Sequence, residues 1–300
     1  MPSIVWSSPR LQALARLVMV VSLVLCMLGQ HVHGDYTFAV VPKRMNTPYW
    51  QSVESGCQTR ARVLSNLQKT NITCLFTGPP DGGPETEANQ LALLQDMLAA
   101  HKDGTQKIDG LALAVVEAPT GTEIINKFTD AGIPTFTFDS DAVDSKRLAY
   151  IGTNNYAMGV ELGRVLLQVK DNDDQLAAGA TFGMIAAGSP NIAMRVQGIR
   201  DVLTTAGWTE VSTSPKNCLG DAAAAVQQMY ELVEHHPTIT AILPVGAWPM
   251  MEGEMWMDFV DSHRRVCTVV GDSLQSQIDL MNMGYANALV GTFVVLFRHP

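Results

Sequence analysis

From Tyr36 onward the chain alternates short β-rich runs with longer segments of helical spacing, and glycine or proline marks most of the joins. In the first half the runs are "YTFAVV", "ITCLF", "IDGLALAV", "IPTFTF" and "LAYIG". Between them lie "PYWQSVESGCQTRARVLSNL", "ETEANQLALLQDMLAAHK" and "TGTEIINKFTDAG". The second half continues with "ATFGMIAAG", a helix from about Asn191 to Ala206, "WTEVSTS", and a helix from about Asp221 to His235. It ends with "ITAILPVG", a helix near Met250 to Ser262, "VCTVVGD" and "SLQSQIDLMNMG". The runs are apolar throughout, which suits strands buried on both faces of a parallel sheet. Strand–helix–strand units of this kind build an α/β fold with helices on both faces. So many units exceed one open sheet, so two similar lobes are expected, covering 35–150 and 151–291. The joint falls near "AYIGTNNYAMG". No sequence repeat relates the halves, and no low-complexity linker separates them, so the lobes are expected to share crossing strands.

Residues 1–34 stand apart from this pattern. They hold Arg10 and Arg16, the run "LVMVVSLVLCMLG" and no acid, the layout of a secretory signal peptide. The run is short for a membrane span, which leaves an uncleaved anchor as the rival reading. Leu25 is bulky before Cys26, against a lipoprotein anchor. The rest carries 18 basic and 29 acidic side chains, a net charge of −11. Such a chain repels phosphate backbones, so nucleic acid is not an expected partner. Four cysteines remain there: Cys57, Cys74, Cys218 and Cys267. Two disulfides or buried thiols both fit, and the spacing matches no zinc pattern. "NITC" places a glycosylation sequon at Asn71, relevant in a host that glycosylates.

Ligands of open parallel sheets bind beyond the carboxyl ends of the strands. After the first run come Lys43, Arg44, Asn46, Thr47, Tyr49 and Trp50; after the fourth, Asp139, Ser140 and Asp141. The joint carries Thr153, Asn154 and Asn155. The second half adds Arg195 one turn into a helix, Trp248 after "VGA", and Asp272 after "VVG". Aromatic faces, short acids, amides and an arginine suit a neutral polyhydroxylated ligand. Each has a plainer role open to it. Tyr49, Trp50 and Trp248 fit a core, Asp139 fits a turn cap, and Arg195 fits a surface ion pair.

The segments "FAVVPKRMNTPYWQSVESGCQTRA", "IPTFTFDSDAVDSKRLAYIGTNNYAMGVELG" and "SPNIAMRVQGIRDVL", in that order, resemble the type I periplasmic substrate-binding proteins of sugar ABC importers. Ribose-binding and autoinducer-2-binding proteins are relatives in that family, and the likeness covers about residues 36–291. It implies two Rossmann-like lobes joined by three crossing strands, which close on a ligand like a hinge. It implies that Tyr49 and Trp50 stack on the ligand and that Asp139 accepts from its hydroxyls. Thr153 would sit at the first crossing, Arg195 would supply a forked contact, and Asp272 would complete the polar ring. Lys43 lies where the autoinducer-binding branch carries a contacting lysine. Ser140 stands where ribose binders have an arginine, which argues against ribose. Gly246 stands where they have an asparagine, so that contact is absent or passes to Trp248.

The end departs from the family: Thr292 replaces a ligand-contacting glutamine, and "TFVVLFRHP" stands where a further helix and last strand are expected. Residues 292–300 therefore read as a divergent tail, with exposed apolar surface expected on the first lobe. The expected function is capture of a small polyhydroxylated ligand, a monosaccharide or relative, for ABC-type uptake or sensing. A receptor ectodomain of the same fold is the alternative. Expected partners are the ligand and an ABC permease or membrane receptor, with the chain itself a monomer. The expected address is the periplasm of a Gram-negative cell, or the secretory route elsewhere. Asp139 and Asp141 could form an acid/base pair. However, no phosphate loop, GxSxG elbow or dinucleotide signature accompanies them, so no enzyme, cofactor or metal is expected. His235 and His236 precede a proline at a helix end and read as a surface cap.

Overall fold

A computed structural model describes residues 34–45, 47–79, 86–171, 180–291 and 294–298. The expected signal segment and Asn46 lie outside these residues. Among the described residues no helix is long and apolar enough to cross a membrane. They fall into two compact units, one running to Gly152 and resuming at Leu296, the other Thr153–Val295.

In the first unit β1 (Tyr36–Val41) leads into α1 (Pro48–Gln68), β2 (Ile72–Phe76), α2 (Glu87–Lys102), β3 (Gly110–Leu113), α3 (Ala118–Asp130), β4 (Thr135–Phe138) and β5 (Ala149–Thr153). The sheet runs β12-β5-β4-β3-β1-β2, where β12 is Val294–Arg298, an edge strand that the sequence reading did not place. Strands β1 to β5 are parallel. Alternation along β1 shows why its run is apolar throughout. Ala39 and Val41 pack with Leu94, Ile124 and Phe128 of α2 and α3. Val40 packs on the other face with Trp50 and Cys57 of α1.

The second unit begins with α4 (Asn155–Asp171) and β6 (Thr181–Ala186), followed by α5 (Pro190–Thr205), β7 (Thr209–Glu210), β8 (Lys216–Asn217) and α6 (Ala222–His235). Then come β9 (Ala241–Pro244), α7 (Trp248–Met251), α8 (Gly253–Ser262), β10 (Cys267–Gly271), α9 (Gln275–Asn282) and β11 (Ala288–Val290). Its sheet order is β11-β10-β9-β6-β7, all parallel, with β8 also beside β6. The expected single helix near Met250 is two helices that meet at Glu252 and Gly253. The run "WTEVSTS" keeps only two residues as strand. Phe182, Met184, Leu243 and Val269 pack toward Leu162, Ile192 and Ile199 of α4 and α5. Ile185, Ile242 and Val270 pack toward Met229, Trp256 and Phe259. In both units the second strand lies outside the first, and β3 in one and β9 in the other lie on the first strand's other side. The two halves therefore repeat a strand order without repeating a sequence.

Cys57 of α1 and Cys74 of β2 form a disulfide, with Cα atoms 5.9 Å apart. It ties the helix to an edge strand beside an apolar cavity lined by Phe38, Val53, Ala61, Ile72, Gly110 and Phe136. Cys218 and Cys267 are buried in separate core clusters of the second unit. The disulfide closes a loop of 17 residues. Cys57→Ser with Cys74→Ser is expected to cost about 3 kcal/mol by the loop-entropy relation. That lowers the melting temperature of this unit by about 6–12 °C, measured by calorimetry against the oxidised parent.

Candidate functional site

Each unit gathers charged groups beyond the carboxyl ends of its strands. In the first, Lys43 lies two residues past β1 and is buried, 3% exposed. Its Nζ is 2.9 Å from Oδ2 of Asp139. Tyr49, half-buried in the first turn of α1, donates its hydroxyl to Oδ1 of the same carboxylate at 3.2 Å. Asp139 follows β4 directly with a left-handed backbone, φ +61°. Its N–H donates to Ile151 O at 3.1 Å, and its carbonyl accepts from the Tyr150 hydroxyl at 2.9 Å. Strand β5 therefore fixes the peptide from which this acid projects. An aspartate tolerates the left-handed region better than most residues, and here the neighbouring strand holds it there.

The other residues read near this cluster make different contacts. Trp50 is 5% exposed and sits in the α1-side core, edge-on to Phe138 at 6.1 Å. Ser140 is fully buried and donates its hydroxyl to Val115 O. Asp141 receives the Arg147 guanidinium through two nitrogens, the Thr137 hydroxyl at 2.6 Å and the Ala142 N–H at 2.8 Å. These bonds brace the loop between β4 and β5. Asn71 is exposed immediately before β2, and Thr73 of the same sequon is exposed beside it.

In the second unit Arg195 is 5% exposed, one turn into α5. Its Nε donates to Asn155 Oδ1 at 2.9 Å and its Nη1 to Val245 O at 2.8 Å. Nη1 also reaches Asp272 Oδ1 at 3.2 Å. Asp272 follows β10 directly with φ +72°, and its Oδ2 accepts from Ala247 N–H at 3.2 Å. Asn155 in turn donates to Thr153 O at 3.0 Å. Asn154 accepts from Ala157 N–H at 3.0 Å and so caps α4. Trp248 opens α7, half-buried. A Cβ at Gly246 would lie 2.8 Å from its ring, so the Trp248 indole fills the space that a side chain at 246 would need.

Two glycines let the arginine meet its amide. A Cβ at Gly159 of α4 would lie 2.0 Å from Arg195 O, and one at Gly198 of α5 would lie 2.4 Å from Tyr156 O. Only glycine permits backbones this close. The close crossing brings Asn155 and Arg195, forty residues apart in sequence, within bonding distance. The sequence places Asn155 at the joint between the halves and assigns it no role. Gly159 and Gly198 on facing helices were the available signal.

The clusters match in position. β4 and β10 hold the same place in their sheets, and each ends in a left-handed aspartate paired with a cation. A hydroxyl can donate to such a carboxylate and accept from such a cation at once, whereas an anion would meet the carboxylate's repulsion.

Residues 38–295 match the family model described as a periplasmic binding protein domain. No curated protein matches the chain. Among solved structures, the glucose-galactose binding protein GanP of Geobacillus stearothermophilus superposes with TM-score 0.70 at 20% identity, covering 88% of this chain and 97% of that one. An ABC transporter solute-binding protein of Burkholderia graminis, solved with D-arabinose, gives TM-score 0.70 at 18% identity over 90% and 97%. One of Agrobacterium vitis with bound D-fucose gives 0.68 at 17% over 87% and 95%.

Proposed function

The chain belongs to the periplasmic binding protein domain family, and from that premise we propose that it captures a neutral monosaccharide and releases it unchanged. Its ligand-contacting side chains would be Lys43, Tyr49 and Asp139 in the first unit and Asn155, Arg195, Trp248 and Asp272 in the second. Thr153, whose carbonyl accepts from Asn155, would hold that amide in place. Trp50, Ser140, Asp141 and Asn154 would support this set from behind. The observation that carries the reading is the matched pair of aspartate–cation clusters at equivalent strand ends. Neutral hydroxyls satisfy both members of each pair, and a ligand lacking one leaves a buried polar group unmatched. Neighbours named for glucose and galactose, D-arabinose and D-fucose support a sugar of this size. Delivery to an ABC permease, from the periplasm or the extracellular side, completes the proposal.

The test is thermal unfolding of the chain against D-glucose, D-galactose, D-arabinose and D-fucose. The true ligand at a hundred times its dissociation constant is expected to stabilise by about 2.7 kcal/mol. A sharp melt indifferent to every sugar would overturn the reading.

A further inference from the structure

Each unit carries a buried glutamine that binds the strand end from which its charged pair departs. Gln90, in the first turn of α2, is 4% exposed. Its Nε2 donates to Ala114 O at 2.8 Å and, more distantly, to Pro42 O at 3.4 Å. Its Oε1 accepts from Val116 N–H at 3.0 Å. Pro42 directly precedes Lys43, and Ala114 follows β3. One side chain thus joins the ends of β1 and β3, where the winding of the sheet reverses. Gln277, in the first turn of α9, is fully buried. Its Oε1 accepts from Leu274 N–H at 2.8 Å, and its Nε2 donates to Gly271 O at 2.9 Å. Gly271 directly precedes Asp272. A Cβ at Gly271 would lie 2.5 Å from Val245 O, the same carbonyl that receives Arg195, so this peptide is confined on both sides.

We infer that Gln90 and Gln277 are positioning residues that set the geometry of the Lys43–Asp139 and Arg195–Asp272 pairs. A glutamine is suited to the task. Its amide donates and accepts at once without bringing a charge beside the ion pair. Without it, buried backbone groups at the strand end lose their partners and the peptide turns to find others. In the second unit that turn moves Asp272, whose left-handed backbone leaves little other freedom.

The test reads Asp272 without any ligand. In the full chain the Ala247 amide proton donates to the Asp272 carboxylate. Gln277→Leu is expected to shift that resonance upfield and to speed its exchange with solvent. A role in stability alone would lower the melting temperature and leave the resonance in place, which would overturn the inference. Where Gln277→Leu does not fold, Leu274→Pro serves. Leu274 has φ −66°, proline's own angle, so the change removes the N–H that orients Gln277 without requiring a new φ there. It is expected to shift the same resonance in the same direction, and an unmoved signal again counts against the inference. A second arm rests on the sugar-binding reading: Gln277→Leu and Gln90→Leu should each weaken the sugar found in the thermal panel by about tenfold, in the range of coupled neighbours. A moved resonance with no sugar bound by the parent would reject the ligand reading and keep the positioning role.

Discussion

Arg195→Ala is expected to abolish tight ligand binding, lowering affinity for the panel sugar by at least about a hundredfold, the scale for truncating one member of a buried charge pair. The reason is how much that side chain holds together. Buried in the second unit, it bonds Asn155, Val245 O and Asp272. Truncation leaves an amide oxygen, a carbonyl and a carboxylate facing a void. Stability should therefore fall as well, by about 3 kcal/mol. Arg195→Lys should restore little, because a single ammonium on a flexible stem cannot serve three acceptors set at fork spacing. Asp272→Asn removes the charge and keeps an oxygen for Ala247, so it should lose affinity with a smaller loss of stability. Titration calorimetry beside thermal melts separates the two quantities. An Arg195→Ala protein that binds the sugar at parental affinity would remove the second unit's cluster from the site.

The strands could be read because both sheet faces are covered. Val40 and Val41 must both be apolar when one meets α1 and the other meets α2 and α3. Helix spans came close for the same reason, and Asp221 and Thr86 fell where their side chains cap. What stayed hidden is set by distant parts of the chain. Nothing local to "FDSDA" separates Asp139, paired with Lys43, from Asp141, paired with Arg147. The split comes from a backbone turned left-handed at the first and not the second. Gln90 and Gln277 look like ordinary helix residues, and their partners lie on strand ends that meet them only in the fold. The alternation shows two similar lobes, but the repeat leaves no trace in residue identity, for a related reason. The two units share a strand order and the position of an aspartate, yet one supplies its cation from the loop after β1 and the other from helix α5. The family resemblance brought Arg195 and Asp272 forward together. Their mutual bond, and the glycine crossing that places Asn155 beside them, came from the structure.

Tyr49 and Trp50 are adjacent, and the resemblance gave both the same task, but their surroundings predict opposite behaviour on substitution. Trp50→Ala is expected to cost about 3–5 kcal/mol, the range for deleting a buried indole. Its ring is 5% exposed, meets Phe138 edge-on with planes at 83°, and packs with Val40, Ala112 and Ile151. The cavity left would lie against the strand face that carries the β4 end, so Asp139 would lose its footing along with the core. Tyr49 presents a half-buried ring, 4.6 Å from Trp50 and tilted by 70°, with its hydroxyl on Asp139. Tyr49→Phe removes that one bond and should cost about 1 kcal/mol of stability. Tyr49→Ala removes the ring as well, and with it a face on which a sugar's C–H surface can rest. The Tyr49 variants should lose ligand affinity while melting near the parent. Trp50→Ala should melt far below it, and Trp50→Phe, which refills part of the volume, should recover some of the loss. Melting curves with and without the panel sugar decide the division. A Trp50→Ala protein that melts like the parent and binds poorly would move that ring from the core to the ligand face, and would make the aromatic pair a joint platform.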